Sequence, residues 1–172
     1  DRCRPQGTYW IYDQSIGYLG GWGAHPLDLM VWASDADLSG PLVVSGSGLV
    51  PTKGLYDTVY NWDVTIKLGD VDLVFRPGAD RTKFIGEAGW IQVARDLGRT
   101  LASDPALLAA ELAPADGQLP ISTNHQANFI EAIKEGDPGR AVAGVKAAVR
   151  SDVVSHLSDI AVRTGETITW DP

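Results

Sequence analysis

The chain has 172 residues, 44% hydrophobic and 21% charged, which is one domain's length with enough apolar material for a real core. Its 14 basic and 22 acidic residues leave a net charge of −8, a field that repels phosphate backbones and anionic lipid, so neither nucleic acid nor a membrane is an expected partner. No apolar run approaches the ~20 residues that span a bilayer, and the single cysteine, Cys3, excludes an internal disulfide. The cytoplasm is the expected compartment, although a missing disulfide also suits a periplasm.

The first clear element follows Gly20-Gly21-Trp22-Gly23. From Ala24 the apolar residues Leu27, Met30 and Val31 recur at helical spacing, which predicts a helix over about 24–35 with His25 and Asp28 on one face of its first turn. Pro26 is tolerated there because the N–H it lacks has no intrahelical partner in the first turn. Pro41 to Val50, rich in β-branched residues, reads as a strand. Tyr60, Trp62, Val64, Ile66 and Leu68 then alternate with Asn61, Asp63, Thr65 and Lys67, as expected of a strand with one buried face. Gly69-Asp70 interrupts the pattern before Val71, Leu73 and Phe75 resume it, which predicts a hairpin. Lys83 to Ile85 and Trp90 to Ala94 read as two further strands, and the short turns between them require antiparallel pairing.

From Asp104 the period becomes helical. Ser122-Thr123-Asn124 offers caps to a helix carrying Phe129, Ile130 and Ile133, and Gly136-Asp137-Pro138 stops it. Val145 to Arg163 is the longest helical pattern, with Val149, Val153, Leu157, Ile160 and Ala161 on its expected buried stripe and Gly165 at its end. Ile168 to Trp170 offers a last short edge strand. The expected class is α+β, a mostly antiparallel sheet with helices packed on one face, in a single domain over 1–172.

Four stretches carry a family resemblance: Gly20 to Asp28, Phe84 to Ile91, Asn128 to Ile133, and Asp159 to Gly165 running on to Trp170-Asp171-Pro172. In this order they resemble the C-terminal domain of the Gfo/Idh/MocA oxidoreductases, the glucose-fructose oxidoreductase and inositol dehydrogenase group. The resemblance implies one half of an enzyme that moves a hydride between NAD or NADP and a secondary alcohol of a sugar, polyol or glycoside. It also implies a homo-oligomer joined through the open sheet face.

A dinucleotide-binding half would show Gly-x-Gly-x-x-Gly between a strand and a helix. The nearest trace is Gly46-Ser47-Gly48, with Pro51 where the third glycine belongs and a strand-like context. The family's Glu-Lys-Pro is absent as well. The chain therefore reads as a C-terminal domain without the nucleotide-binding Rossmann domain, and this chain alone is expected to bind no nicotinamide cofactor and to be inactive.

His25 matches the histidine of the family's Gly-Gly-x-x-x-Asp-x-x-x-His pattern, which implies a catalytic role, since imidazole can take or relay a proton near neutral pH. The aspartate of that pattern falls on Gly21, so either the relay runs through His25 and the lysine of the missing half alone, or Asp13 or Tyr12 supplies the group from upstream. Tyr9, Trp10, Tyr12, Tyr18 and Trp22 form an aromatic cluster, either ordinary packing or a platform for the C–H faces of a sugar. The candidate substrate-binding residues are Trp10, Tyr12, Asp13, Trp22 and Asp28, with Asp28 also suited to support His25 or a backbone N–H. Trp62, Trp90 and Trp170 are expected in the core, and His125 and His156 at the surface. His25 and Asp28 lack a third ligand, so no metal site is expected. The alternative function is a catalytically silent sugar-binding or dimerisation module, which Gly21 favours.

Overall fold

The computed structural model describes residues 5–33, 41–111 and 122–171. In chain order the elements are α1 (Pro5–Thr8), α2 (Tyr18–Gly21), α3 (Ala24–Ala33), β1 (Leu42–Leu49), β2 (Asn61–Leu68), β3 (Val71–Phe75), β4 (Arg81–Gly86), β5 (Gly89–Ala94), β6 (Arg99–Ala102), α4 (Ala106–Ala109), α5 (His125–Glu135), α6 (Val145–Thr164) and β7 (Ile168–Trp170). They divide into two compact units, one made of the described residues up to Thr82 and from Val149 onward, the other of those from Lys83 to Ala148.

The first unit contains a four-stranded sheet in the order β3-β2-β1-β7, antiparallel throughout. Alternation in β2 turns Trp62, Val64, Ile66 and Leu68 inward, each at most 5% exposed, because successive side chains in a strand face opposite ways. Val44 pairs with Ile66 and Ile66 with Leu73, so three strands give adjacent apolar side chains to one face. Tyr60, expected on that face, is 54% exposed. It lies beyond the last rung of the β1–β2 ladder, which ends at the Leu49–Asn61 pair.

Leu19, Leu27 and Val31 from α2 and α3 and Val154, Leu157, Ala161 and Val162 from α6 join the inner sheet face in a single core. The opposite face is exposed at Thr65, Lys67 and Val74, and it carries surface ion pairs, Lys67 with Asp72 at 3.2 Å and Arg76 with Asp63 at 3.0 Å. The fold is therefore α+β with helices on one face of an antiparallel sheet, as the sequence predicts. The helix predicted over about 24–35 is described as far as Ala33, and the remainder lies outside the described residues.

The buried face of α6 corrects the expected stripe. Val149 and Ile160 are 54% and 41% exposed, while Ser151, Ser155, Ser158 and Asp159 are buried. Small residues let the helix lie close to the sheet, and the sheet reciprocates: a Cβ at Gly48 would run into the Asn61 carbonyl and the Val162 side chain, and one at Gly46 into Val64. Gly48 thus leaves room in β1 for Val162 of α6, and Gly46 for Val64 of the neighbouring strand.

The second unit holds the sheet β4-β5-β6 with α4 and α5. Strand β6, which the sequence pattern did not reveal, pairs antiparallel with β5. Helix α5 is capped as its sequence predicts: Asn124 Oδ1 accepts from the Ala127 N–H at 2.9 Å, and Gly136 ends it in the left-handed conformation with φ 65°. Its Asn128 side chain bonds Arg140 O and the Val142 N–H, tying down the following turn. Trp62 is a core residue as expected. Trp90, by contrast, is only partly buried with the Lys83 ammonium 4.3 Å from its ring centre, and Trp170 is 38% exposed on edge strand β7.

Candidate functional site

The sequence-predicted residues Trp10, Tyr12, Asp13, Trp22, His25 and Asp28 all belong to the first unit, before and around the turn of α2 into α3. Ile11, fully buried, anchors the segment that precedes it, and turns closed by Gln14 and Ser15 N–H groups on Ile11 O leave Tyr12 and Asp13 exposed on its outer side. Helix α2 runs almost continuously into α3, but the Gly23 N–H reaches back five residues to Tyr18 O and the His25 N–H only three, to Trp22 O. Such a widened turn inside a helix breaks the regular ladder and re-aims the side chains around it.

The rings form a sequence. Trp10 stacks on Tyr18 with centroids 5.6 Å apart and planes 12° from parallel, and Tyr18 stacks on Trp22 at 6.2 Å. Trp22 meets the His25 ring edge-on at 5.4 Å. Tyr9, which like Tyr18 is not among the candidate substrate-binding residues, packs edge-on against both Trp10 and Tyr18. Tyr18 and Trp22 are each 44% exposed, so the ladder presents aromatic surface beside an exposed imidazole. Because facing rings cover each other, the surface left to a ligand consists of ring edges and the faces at the open side.

Asp28 and His25 are not brought together. The Asp28 carboxylate turns toward α6 and accepts from Ser151 Oγ at 2.6 Å, which makes it a tie between two helices. Tyr12 also leaves the His25 neighbourhood for α6. The Arg163 guanidinium lies 3.5 Å from its ring centre, and the Tyr12 N–H donates to Asp57 Oδ1 at 2.7 Å. Arg163 in turn bonds the buried Asp159 carboxylate at 2.8 Å and the Asp57 carbonyl at 3.0 Å. Burial pushes the Tyr12 phenol above its ordinary range, and the Asp159 charge adds to this while Arg163 opposes it. This Tyr12–Arg163–Asp159–Asp57 cluster joins residues from opposite ends of the chain, with Asp57 and Arg163 alone 106 positions apart, which no local pattern can reveal.

The side chain nearest Gly21 is that of Tyr9. A Cβ there would run into the Tyr9 hydroxyl and ring, so the phenol of Tyr9 occupies the space a side chain at position 21 would need. His125, at the start of α5, is exposed, and His156 faces Asp152 at 3.4 Å on the surface of α6. Among the described residues no three His, Cys, Asp or Glu side chains are grouped to hold a metal ion, and no helix is long and apolar enough to cross a membrane. The Gly46–Gly48 segment, paired with β2 and packed on α6, does not fit a dinucleotide pyrophosphate, which needs free backbone N–H groups at a helix mouth.

No family model matches the sequence, and no curated protein is similar to it at sequence level. Solved structures do share its fold. A provisionally assigned oxidoreductase from Thermotoga maritima overlays with a TM-score of 0.65 at 16% identity, over 97% of this chain and 51% of its own. An aldose-aldose oxidoreductase from Caulobacter crescentus, solved with glycerol, overlays with a TM-score of 0.55 at 13% identity, over 86% of this chain and 46% of its own. The chain thus spans about half the length of these two oxidoreductases and shares their fold over that half.

Proposed function

We propose that the chain is the substrate-side half of an oxidoreductase that uses NAD or NADP to oxidise or form a secondary alcohol of a sugar, polyol or glycoside. The observation that carries this reading is an exposed imidazole, His25, in the first turn of α3 beside an exposed aromatic ladder, on a fold shared with sugar oxidoreductases. Oxidation of such an alcohol removes a proton from oxygen, and the exposed imidazole of His25 beside Trp22 supports assigning it as the acceptor. Trp10, Tyr18 and Trp22 supply the apolar surface against which the C–H faces of a sugar or polyol can lie. The pairing of Gly46–Gly48 with β2 supports a reading in which the dinucleotide is held outside this chain. The exposed face of the β3-β2-β1-β7 sheet is the surface for self-association, with a copy of this chain as partner.

The test uses the full-length protein, assayed with NAD and NADP against a panel of aldoses, polyols and glycosides. His25→Ala is expected to lower turnover ~10²–10⁴-fold, with cofactor affinity and melting temperature unchanged. Turnover near wild type in the folded variant would refute the role of His25. Failure to oxidise or reduce any member of the panel with either cofactor would support the alternative, a silent sugar-binding or dimerisation module.

A further inference from the structure

Asp57 and Thr58 touch the two stretches of backbone that carry the Trp10–Tyr18 stack. The Asp57 N–H donates to Trp10 O at 3.1 Å, and its Oδ1 accepts from the Tyr12 N–H at 2.7 Å. Between these bonds the Ile11 side chain is fully buried, so the segment is pinned at Trp10, Ile11 and Tyr12 in turn. Thr58, itself buried, lies against Gly17, the residue before Tyr18 and the N-cap of α2, where a Cβ would run into its side chain.

Helix α6 holds this loop from the other side. Arg163, in its last turn, donates from Nη2 to Asp57 O at 3.0 Å and from Nε to the buried Asp159 carboxylate at 2.8 Å, with its guanidinium over the Tyr12 ring. Asp57 therefore uses its N–H on Trp10, its carbonyl on Arg163 and its carboxylate on Tyr12. The first two are backbone bonds that any residue but proline can make. The third needs a side-chain oxygen at this reach, and an ionised acceptor makes such a bond short and directional. The identity of residue 57 counts there.

We propose that Asp57 is a positioning residue for the aromatic platform: its carboxylate fastens the Tyr12 N–H while its own N–H holds Trp10 O, and together they set the angle at which the Trp10 ring stacks on Tyr18. The consequence for substrate rests on the proposed sugar platform, but the positioning has a readout that needs no turnover. Asp57→Ala leaves both backbone bonds and removes the acceptor. Asp57→Asn removes the charge and keeps an oxygen within reach of the Tyr12 N–H. In the full-length protein the Trp10 Nε1–H signal, assigned by its loss in Trp10→Phe, reports through the ring current of Tyr18 whether the stack keeps its geometry.

The expected result is a displaced Trp10 signal in Asp57→Ala and a signal near its wild-type position in Asp57→Asn. Against the panel of aldoses, polyols and glycosides, Asp57→Ala is expected to raise the substrate KM roughly three- to tenfold with kcat unchanged, as for the loss of one well-placed ring contact, and Asp57→Asn to restore it. A Trp10 signal at its wild-type position in folded Asp57→Ala overturns the proposal. An equal displacement in Asp57→Asn overturns it too, since the shift then follows the charge and not the acceptor. Should Asp57→Ala fail to fold, Asp57→Glu, which moves the carboxylate by one methylene, decides by the same signal. If no member of the panel is turned over, the functional reading falls while the signal still decides whether Asp57 sets the stack.

Discussion

The two units use apolar residues in opposite ways. In the first, Val44, Val64, Ile66 and Leu19 are fully buried and converge from both sheet and helices. In the second, the apolar side chains with the clearest helical spacing point outward, with Phe129 and Ile133 each 59% exposed and Ile85 of β4 at 78%. Periodicity therefore predicts an element's type in both units, but a buried face only where the fold supplies something to cover it. Stability should follow burial and be concentrated in the first unit.

Single substitutions can break that comparison. Ile66→Ala removes a fully buried side chain and is expected to cost about 2–5 kcal/mol, measured by denaturant unfolding. A loss near zero would mean that the first unit is not the stable part. Phe129→Ser, on the exposed face of α5, is expected to change stability by no more than about 0.5 kcal/mol. A loss several times larger would show that this face is covered in solution and that the contrast between units disappears there.

A smaller effect sharpens the picture at Tyr12. Its phenol is pushed above the ordinary 10.0 by burial first and by Asp159 second, so the folded chain holds this proton more tightly than the unfolded one. The corresponding stability is complete below pH 10.0 and is lost as pH rises through that value toward the folded pKa. Wild-type protein should therefore lose melting temperature above that pH slightly faster than Tyr12→Phe. Equal slopes would show that neither burial nor Asp159 shifts the phenol in solution. The loss is modest because Tyr12 is 42% exposed and water screens it.

How far the sequence could be read follows from the same physics. The β2–β3 hairpin was legible because alternation over residues 61–68 leaves one register that buries Trp62, Val64, Ile66 and Leu68 together. The ends of α5 and α6 were legible because Asn124, Gly136 and Gly165 act locally. The buried face of α6 was legible in part: Leu157 and Ala161 are buried as read, while Ser151, Ser155 and Ser158, which hydropathy places outside, are buried beside them. Strand β6 escaped because Arg99-Thr100-Leu101-Ala102 shows no alternation and none of it is fully buried. At the site, the neighbourhood of Trp22 and His25 was visible from Gly20 to Asp28. The departure of Asp28 to Ser151 and of Tyr12 to Arg163 was not, because both bonds are set by tertiary packing.

The pairing of β1 with β7 bears on how the chain comes to be folded at all. Leu42 has its partner at Trp170 and Val44 at Ile168, and the Asp28–Ser151 tie spans 123 positions. During synthesis at roughly 5–20 residues per second, strand β1 waits on the order of ten seconds for the segment that completes its sheet. Through that interval one edge of β1 offers unpaired backbone groups to any neighbouring chain. Refolding in vitro meets the same demand as a high contact order, which places this unit among slow folders, with closure of β7 onto β1 a late event.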